Sequence, residues 1–292
     1  MKLEILANAK INLALSIEGK REDGYHEVRT ILQSVGLSDS LIIEESKRLV
    51  LTCNEESLAC DETNLVMKAA RALQAYTQTR KGAAMRLHKR IPMAAGLAGG
   101  SSDAAAALRG LNEFWKLDLS LEELKEIART LGSDVPFCLE GGTAFGTGRG
   151  DELEYLPDMP EAWLLIAHPP IPVHTTDAYA LFDSGCTTKT VKADAVRQAV
   201  EAGDWEIVKE NLGNTFEDLV FPRFPEIEAC KKELEQRGIV TLMSGSGPTL
   251  YGFIHDAMQG YTLQGELRDL GYDWDYRITR TTQRGAMKYG KG

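Results

Sequence analysis

Along residues 11–17 apolar and polar positions alternate, with Ile11, Leu13, Leu15 and Ile17 on one face and Lys10, Asn12, Ala14 and Ser16 on the other. A period of two is the pattern of a strand whose faces meet different surroundings. Similar runs at 28–35, 41–44, 49–52 and 84–89 make the early chain β-rich. Leu65, Ala69, Leu73 and Tyr76 recur at helical spacing and predict a helix over 65–76. A glycine-rich segment is followed by a predicted helix over 103–115. A second opens on the capping box Ser120-Leu121-Glu122-Glu123 and closes near Gly132. The glycines of 141–150 suit a turn.

The apolar run 162–167 reads as a buried strand, broken by Pro169, Pro170 and Pro172. A domain boundary is expected at 157–161, giving domains 1–158 and 159–292. The second half carries helical patterns at 176–181, 191–202, 205–211 and 225–237. Strands at 239–242 and 250–254 flank another glycine turn, and a last helix and strand end near Thr281. Strands and helices segregated within each half predict two α+β domains with a cleft between them.

Composition adds bounds. The 292 residues, 43% hydrophobic and 26% charged, suffice for a sizeable core without disulfides or a structural metal. Lys and Arg total 33 against 43 Asp and Glu, a formal charge of -10. So acidic a chain has no general attraction for nucleic acid or an anionic membrane, although a local basic pocket for a phosphorylated ligand stays compatible. The five cysteines are scattered, with no C-x-x-C pair, so reduced thiols are expected rather than zinc or redox chemistry. Glu4, Asn8, Lys10 and Asn12 interrupt any signal-peptide core, and the run 162–167 is too short to cross a bilayer. The expectation is a cytoplasmic protein, a monomer or weak homodimer.

The segment richest in chemistry is Pro92-Met93-Ala94-Ala95-Gly96-Leu97-Ala98-Gly99-Gly100-Ser101-Ser102-Asp103, between a predicted strand and a predicted helix. Gly96, Gly99 and Gly100 let backbone approach a ligand closely. Ser101, Ser102 and Asp103 are good N-cap types, which would leave free N–H groups and the positive helix end facing the loop. That is an anion site, with phosphate its commonest occupant. A tight glycine turn before a buried, capped helix would have the same composition. Neither G-x-x-x-x-G-K-[ST] nor G-x-G-x-x-G occurs, so dinucleotide folds and P-loop NTPases have no support.

The loop resembles the ATP-binding motif of the GHMP kinase superfamily, to which galactokinase, homoserine kinase and mevalonate kinase belong. Candidates for the superfamily's other two motifs surround Lys10 and span Ser244-Gly245-Ser246-Gly247-Pro248-Thr249, in the expected order. Ala98 departs from the glycine that many members carry. A methyl group is tolerated there if φ is negative. The resemblance implies a ribosomal-protein-like first domain, a ferredoxin-like second domain and an active site in the cleft. Ala9 to Leu13, Asp23-Gly24-Tyr25-His26 and Gly132-Ser133-Asp134-Val135-Pro136-Phe137 are similar to one branch of the superfamily. That branch transfers the γ-phosphate of ATP to the 2-hydroxyl of a methylerythritol attached to CDP, in the non-mevalonate route to isoprenoid precursors. The alternatives are a homoserine- or mevalonate-type kinase, or a ligand sensor on the same fold, which should have lost Lys10 or Asp134.

Roles follow from the resemblance, each beside a plainer account. Asp134 is the implied base, or it merely caps a short helix with Pro136 in its first turn. Lys10, beside Asn12, is implied to hold the attacking oxygen and the γ-phosphate, or it is a solvated lysine on an edge strand. Asp23-Gly24 reads as a turn that leaves Tyr25 and His26 at the cleft rim, implied to bind cytidine by stacking and hydrogen bonding. Tyr179 is the expected stacking partner from the other domain. Asn64 either contacts the nucleotide or caps its helix. Lys89 lies beside the adenine through backbone contacts or is a solvated strand end. Gly245, Ser246 and Gly247 either support the phosphate loop or form a simple β-turn. Mg²⁺ is expected on ATP itself, with no acidic cage in the sequence, although Ser101 or Ser102 could add a ligand.

Overall fold

The computed structural model describes residues 2–185 and 189–288. Its first sheet is built on two long antiparallel strands, β1 (Lys2–Lys20) and β2 (His26–Glu44). Beyond them lie β3 (Leu49–Cys53) and β4 (Ala83–His88), parallel neighbours joined through helix α1 (Leu65–Thr77). Helices α2 (Gly99–Trp115), α3 (Leu121–Arg129) and α4 (Val135–Glu140) follow, then strands β5 (Thr143–Thr147) and β6 (Glu152–Tyr155). The second half runs β7 (Trp163–His168), α5 (Thr175–Asp183), α6 (Ala193–Glu201), α7 (Trp205–Asn211), β8 (Gly213–Asn214) and α8 (Thr215–Val220). It closes with α9 (Pro225–Gln236), β9 (Thr241–Met243), β10 (Leu250–Ile254), α10 (Ala257–Asp269), β11 (Asp275–Arg280) and β12 (Met287–Lys288).

Two sheets result. One has the order β12-β1-β2-β4-β3, with β5, β6 and β8 attached. The other is four-stranded, β11-β7-β10-β9. The short strands β8 and β12 come from the second half yet pair with β1. The alanine run 104–107 is fully buried, which lets α2 lie close against β1 and β2 in one core that also takes in α1, α3 and α4. A second core joins Ile11 and Leu13 to Leu164, Ile166 and Tyr251, so the two halves share apolar contact behind the cleft. A third fills the space between the four-stranded sheet and α8 to α10.

Several sequence expectations need correction. The runs 28–35 and 41–44 belong to one continuous strand, β2, because paired neighbours carry the chain through residues 36–40. Residues 141–150 hold strand β5 as well as a turn, since residues 143–146 pair with β2 and only 148–150 turn toward β6. The plainer account of Lys10 as a solvated edge lysine fails. Lys10 and Asn12 are buried, and bulges between Asn8 and Lys10 and between Asn12 and Ala14 re-aim the side chains there. The α3 capping box forms as the sequence indicates. Cys53, Cys60, Cys138 and Cys230 are free thiols, and Cys186 lies outside the described residues. Among the described residues no helix is long and apolar enough to cross a membrane.

Candidate active site

A cavity of about 1010 Å³ opens between the halves. Its walls come from β1, the β1–β2 turn, the start of α1, the loop before α2, the segment before α4, α5 and the β9–β10 turn. Of the residues singled out in the sequence, Lys10, Asn12, Tyr25, His26, Asn64, Lys89, Asp134, Tyr179, Gly245 and Ser246 all line it. So do Pro92, Met93, Ala94, Ala95, Gly96, Ala98, Gly99 and Gly100. Leu97 does not. It is buried in the core at the junction of the two halves. Ser101, Ser102 and Gly247 also stand off the wall.

The loop differs from expectation at its helix. α2 starts at Gly99 and its N-cap position is Ala98, so Ser101, Ser102 and Asp103 lie inside the helix and cap nothing. Ser102 donates to the carbonyl of Asn8 at 2.6 Å, which fixes the helix to β1 and turns its hydroxyl away from the cavity. Ala98 sits at φ 56°, so the condition of a negative φ fails and the methyl group is held in the left-handed region. The early helix start puts Gly99 and Gly100 at the cavity wall, where an anion would meet the positive end of a 17-residue helix.

Gly96 explains how the second and third motifs meet. It has φ +71°, and a Cβ there would lie 2.1 Å from the carbonyl oxygen of Ser244. The Ser244 hydroxyl donates to the Gly96 carbonyl at 3.0 Å, and Lys10 Nζ donates to the same oxygen at 3.1 Å. All three motifs therefore converge on one peptide unit. The Gly245–Gly247 turn is packed against the glycine loop before α2 and is more than a strand connection. Gly245 Cβ space is likewise limited by the Gly96 carbonyl, at 3.0 Å.

Lys10 is 5% exposed, which removes the reading of a solvated edge lysine. Besides Gly96 it donates to Asn12 Oδ1 at 2.8 Å, and Asn12 Nδ2 donates to Thr30 Oγ1 at 2.8 Å. Thr30 in turn donates to the Ala14 carbonyl. This chain fixes which end of the Asn12 amide faces Lys10 and leaves the ammonium aimed at the cavity with satisfied neighbours. Tyr251, fully buried, donates to the Asn12 carbonyl at 2.9 Å.

Asp134 occupies the N-cap position of α4, yet its side chain makes no cap hydrogen bond. Pro136 supplies the restricted first turn, so capping does not account for the carboxylate. Its charge reaches two neighbours. Burial foremost, then Asp134, pushes the Cys138 thiol up to about 12, and the same causes push the Tyr179 hydroxyl up to about 12.

At the rim formed by the β1–β2 turn, the turn forms as expected, with Gly24 at φ 86° and the Tyr25 N–H donating to Asp23 Oδ1 at 3.0 Å. Tyr25 is 54% exposed on the rim, whereas His26 is buried. Tyr179 does reach across from the second half, but it stacks on His26, centroids 4.5 Å apart at 19°. Phe216 meets Tyr179 edge-on at 5.0 Å. His26 Nε2 lies 2.7 Å from Asp183 Oδ1, and Asp183 is held below the usual carboxylate range by hydrogen bonds from Lys20 and His26. Asn64 is an N-cap as well as a wall residue: it accepts from the Val66 N–H at 2.9 Å and donates to the Ala59 carbonyl at 2.7 Å. Lys89 is no solvated strand end, being almost fully buried between Asp39 and Asp103.

Sequence reasoning missed Arg149, whose guanidinium sits 4.9 Å from the Tyr25 ring centroid while pairing with Asp151 at 2.6 Å. It also missed Asp183 and Thr30. A charged residue inside the glycine run Gly148-Arg149-Gly150 was the available signal for the first.

A glycine loop at a helix N-terminus, a buried lysine and an uncapped carboxylate around one cavity fit a small-molecule kinase of a non-P-loop class. The comparisons agree. Residues 64–142 match the GHMP kinases N terminal domain and residues 196–273 the GHMP kinases C terminal domain. Proteins of Bacillus cytotoxicus and Bacillus mycoides, each named 4-diphosphocytidyl-2-C-methyl-D-erythritol kinase, are 42% identical over 258 residues, 87% of this chain and 89% of theirs. A crystal structure of 4-(cytidine 5'-diphospho)-2C-methyl-D-erythritol kinase superposes with TM-score 0.80 at 30% identity, covering 96% of this chain and 99% of that one. The homoserine kinase of Cytophaga hutchinsonii shares the fold at TM-score 0.73 and 17% identity, covering 98% of this chain and 97% of its own. The chain belongs to the 4-diphosphocytidyl-2-C-methyl-D-erythritol kinase family of the GHMP kinases.

Proposed function

We propose that this protein transfers the γ-phosphate of ATP to the 2-hydroxyl of 4-diphosphocytidyl-2-C-methyl-D-erythritol, with Asp134 as base and Lys10 as the charge that meets the phosphoryl group. The observation that carries the residue assignment is the convergence of Lys10, the Gly96 peptide and the uncapped Asp134 on one cavity.

Phosphoryl transfer asks little covalent chemistry of a protein and much positioning. The N–H groups at the start of α2 and the glycines of the loop hold the polyphosphate, where a side chain would block approach. Lys10, fixed by Asn12 and the Gly96 carbonyl, places one positive charge where negative charge spreads over the moving group. Asp134 accepts the hydroxyl proton as the oxygen–phosphorus bond forms and the bond to the ADP oxygen breaks. Tyr25, His26 and Tyr179 take the cytidine end. The stack of Tyr179 on His26 supports a role in shaping that pocket from both halves.

Among the described residues no group of three or more His, Cys, Asp or Glu side chains is arranged to hold a metal ion, and Ser102 spends its hydroxyl on Asn8. Mg²⁺ would be carried by the phosphate oxygens of ATP, where it would neutralise charge on the polyphosphate. We take residues 1–158 and 159–292 as the two domains, a division supported by a cavity lined from both.

The test is ADP release from Mg-ATP against the CDP-linked methylerythritol, free methylerythritol phosphate, mevalonate and homoserine, with the phosphorylated position read by NMR. Turnover confined to the CDP-linked alcohol, with phosphate on the 2-oxygen, supports the proposal. Turnover of another alcohol overturns the substrate, and no turnover with any overturns the activity.

A further inference from the structure

Beneath the phosphate loop lies a cluster that the reaction does not use. Lys89, at the end of β4, ion-pairs with Asp39 of β2 and with Asp103 of α2, the latter at 2.7 Å. The three side chains are 7%, 0% and 4% exposed. Asp39 Oδ1 also accepts the backbone N–H groups of Arg90 and, at 2.8 Å, Ile91. Those are the residues that lead into the loop, and Asp103 is the fifth residue of the helix that leaves it. Gly99 leaves little room beside the cluster, since a Cβ there would stand 3.3 Å from Lys89 Nζ.

We propose that Lys89, Asp39 and Asp103 form a buried clasp that joins the entry of the phosphate loop to its exit, and that Asp103 is a positioning residue whose charge state sets how tightly the loop holds ATP. This rests on the reading of residues 92–100 as the ATP phosphate loop.

The charge count is what makes the clasp more than a structural bridge. One ammonium faces two carboxylates, and the second oxygen of Asp103, Oδ1, is buried without a hydrogen-bond partner. A buried, unpartnered carboxylate oxygen is costly when charged. Burial foremost pushes Asp103 up to about 8, with Asp39 adding to the rise and Lys89 opposing it. Burial alone would lower Lys89, but Asp103 and Asp39 together hold it above its ordinary value. Near neutrality Asp103 is then largely protonated, and the clasp carries less negative charge than with Asp103 ionised. Above that range it gains one negative charge directly under a site built for polyphosphate. Of the other ionisable groups packed nearby, Cys138 on α4 is pushed up to about 12 and stays neutral. Lys10 and Asp134 line the same cavity from β1 and the start of α4. Asp103→Asn keeps shape while removing the titration, so comparing it with the native protein separates Asp103 from both.

The experiment is calorimetric titration of the full chain with Mg-ATP at pH 7.5 and pH 9.0 at constant ionic strength. The range lies above the titration of ATP itself. The native protein is expected to lose about tenfold in affinity across it, the scale of one added charge near the polyphosphate at intermediate dielectric. Asp103→Asn is expected to hold its affinity within about twofold, at a scale too small for a lost charge contact. Asp103→Leu, which also severs the link to Lys89, should bind Mg-ATP more weakly at both pH values. An equal loss of affinity in the native protein and Asp103→Asn overturns the proposal. So does a flat native profile, or a variant altered only in melting temperature. Absence of Mg-ATP binding by the native protein at pH 7.5 would overturn the phosphate-loop reading and the clasp with it. Tight binding without the pH response overturns the clasp alone.

Discussion

Gly96→Ala is the substitution for which the structure gives the sharpest expectation. Gly96 has φ +71°, where an alanine pays about 1–2 kcal/mol relative to its preferred backbone regions. The larger effect is steric. The new Cβ would stand 2.1 Å from the Ser244 carbonyl oxygen and 3.2 Å from that of Gly247. Both contacts are backbone, so relief requires the loop and the Ser244–Gly247 turn to part by about 1 Å, on the scale at which misplacement costs roughly 10²-fold in rate. Movement of this peptide also displaces the oxygen that receives Lys10 Nζ and the Ser244 hydroxyl. The expected outcome is a fall of about 100-fold in kcat/KM for ATP, with both kcat and KM affected. Steady-state kinetics with ATP varied at saturating alcohol, alongside circular dichroism and a melting curve to show a folded protein, measure it. A folded variant within threefold of native activity, on a scale of less than 1 kcal/mol, would refute the convergence of the three motifs at this peptide.

Ala98→Gly removes a methyl group from the left-handed region, a gain of about 1 kcal/mol less the entropy a glycine adds to the unfolded chain, so the melting temperature should rise by about 1–2 °C with activity unchanged. A fall would mean that Ala98 is not strained. Tyr179→Ala should raise KM for the CDP-linked alcohol about tenfold and leave KM for ATP alone, because it removes the ring that stacks on His26. An unchanged KM for the alcohol removes Tyr179 from the site. Lys10→Met keeps the buried bulk without the charge and should lower kcat about 10²- to 10³-fold in a protein that still folds. A kcat near the native value would show that the ammonium does not meet the phosphoryl group.

Much of the architecture was readable from local pattern. The α3 capping box, the helix over 205–211 and the strand over 250–254 carry their periods and boundaries in adjacent residues. What failed depended on partners distant in sequence. The plainer account of Lys10 put it on a solvated edge strand, but contacts with the Gly96 carbonyl and, through Asn12, with Thr30 make Lys10 and Asn12 interior. Ser101, Ser102 and Asp103 suggested a helix cap. The helix instead begins two residues before Ser101, because Ala98 accepts a left-handed turn that composition disfavours. The candidate site residues lie in short motifs, yet their connections do not. That Lys10 and Ser244 share the Gly96 carbonyl, or that Lys89 is clasped by two carboxylates, requires tertiary pairing across as many as 148 positions. Arg149 was hidden in a glycine run that reads as a turn until β5 and β6 bring it against Tyr25.

In the reaction we propose, Asp134 accepts the proton of the alcohol's 2-hydroxyl. The most direct test of this role is single-turnover transfer of label from γ-labelled ATP to the CDP-linked alcohol by Asp134→Asn, with the affinity for each substrate measured separately. Transfer is expected to slow by about 10³-fold, at the scale of a lost base, while both affinities stay within about threefold. Transfer within tenfold of the native rate, by a variant that binds both substrates, would contradict it, since Asp134 would then hold no proton that the reaction needs.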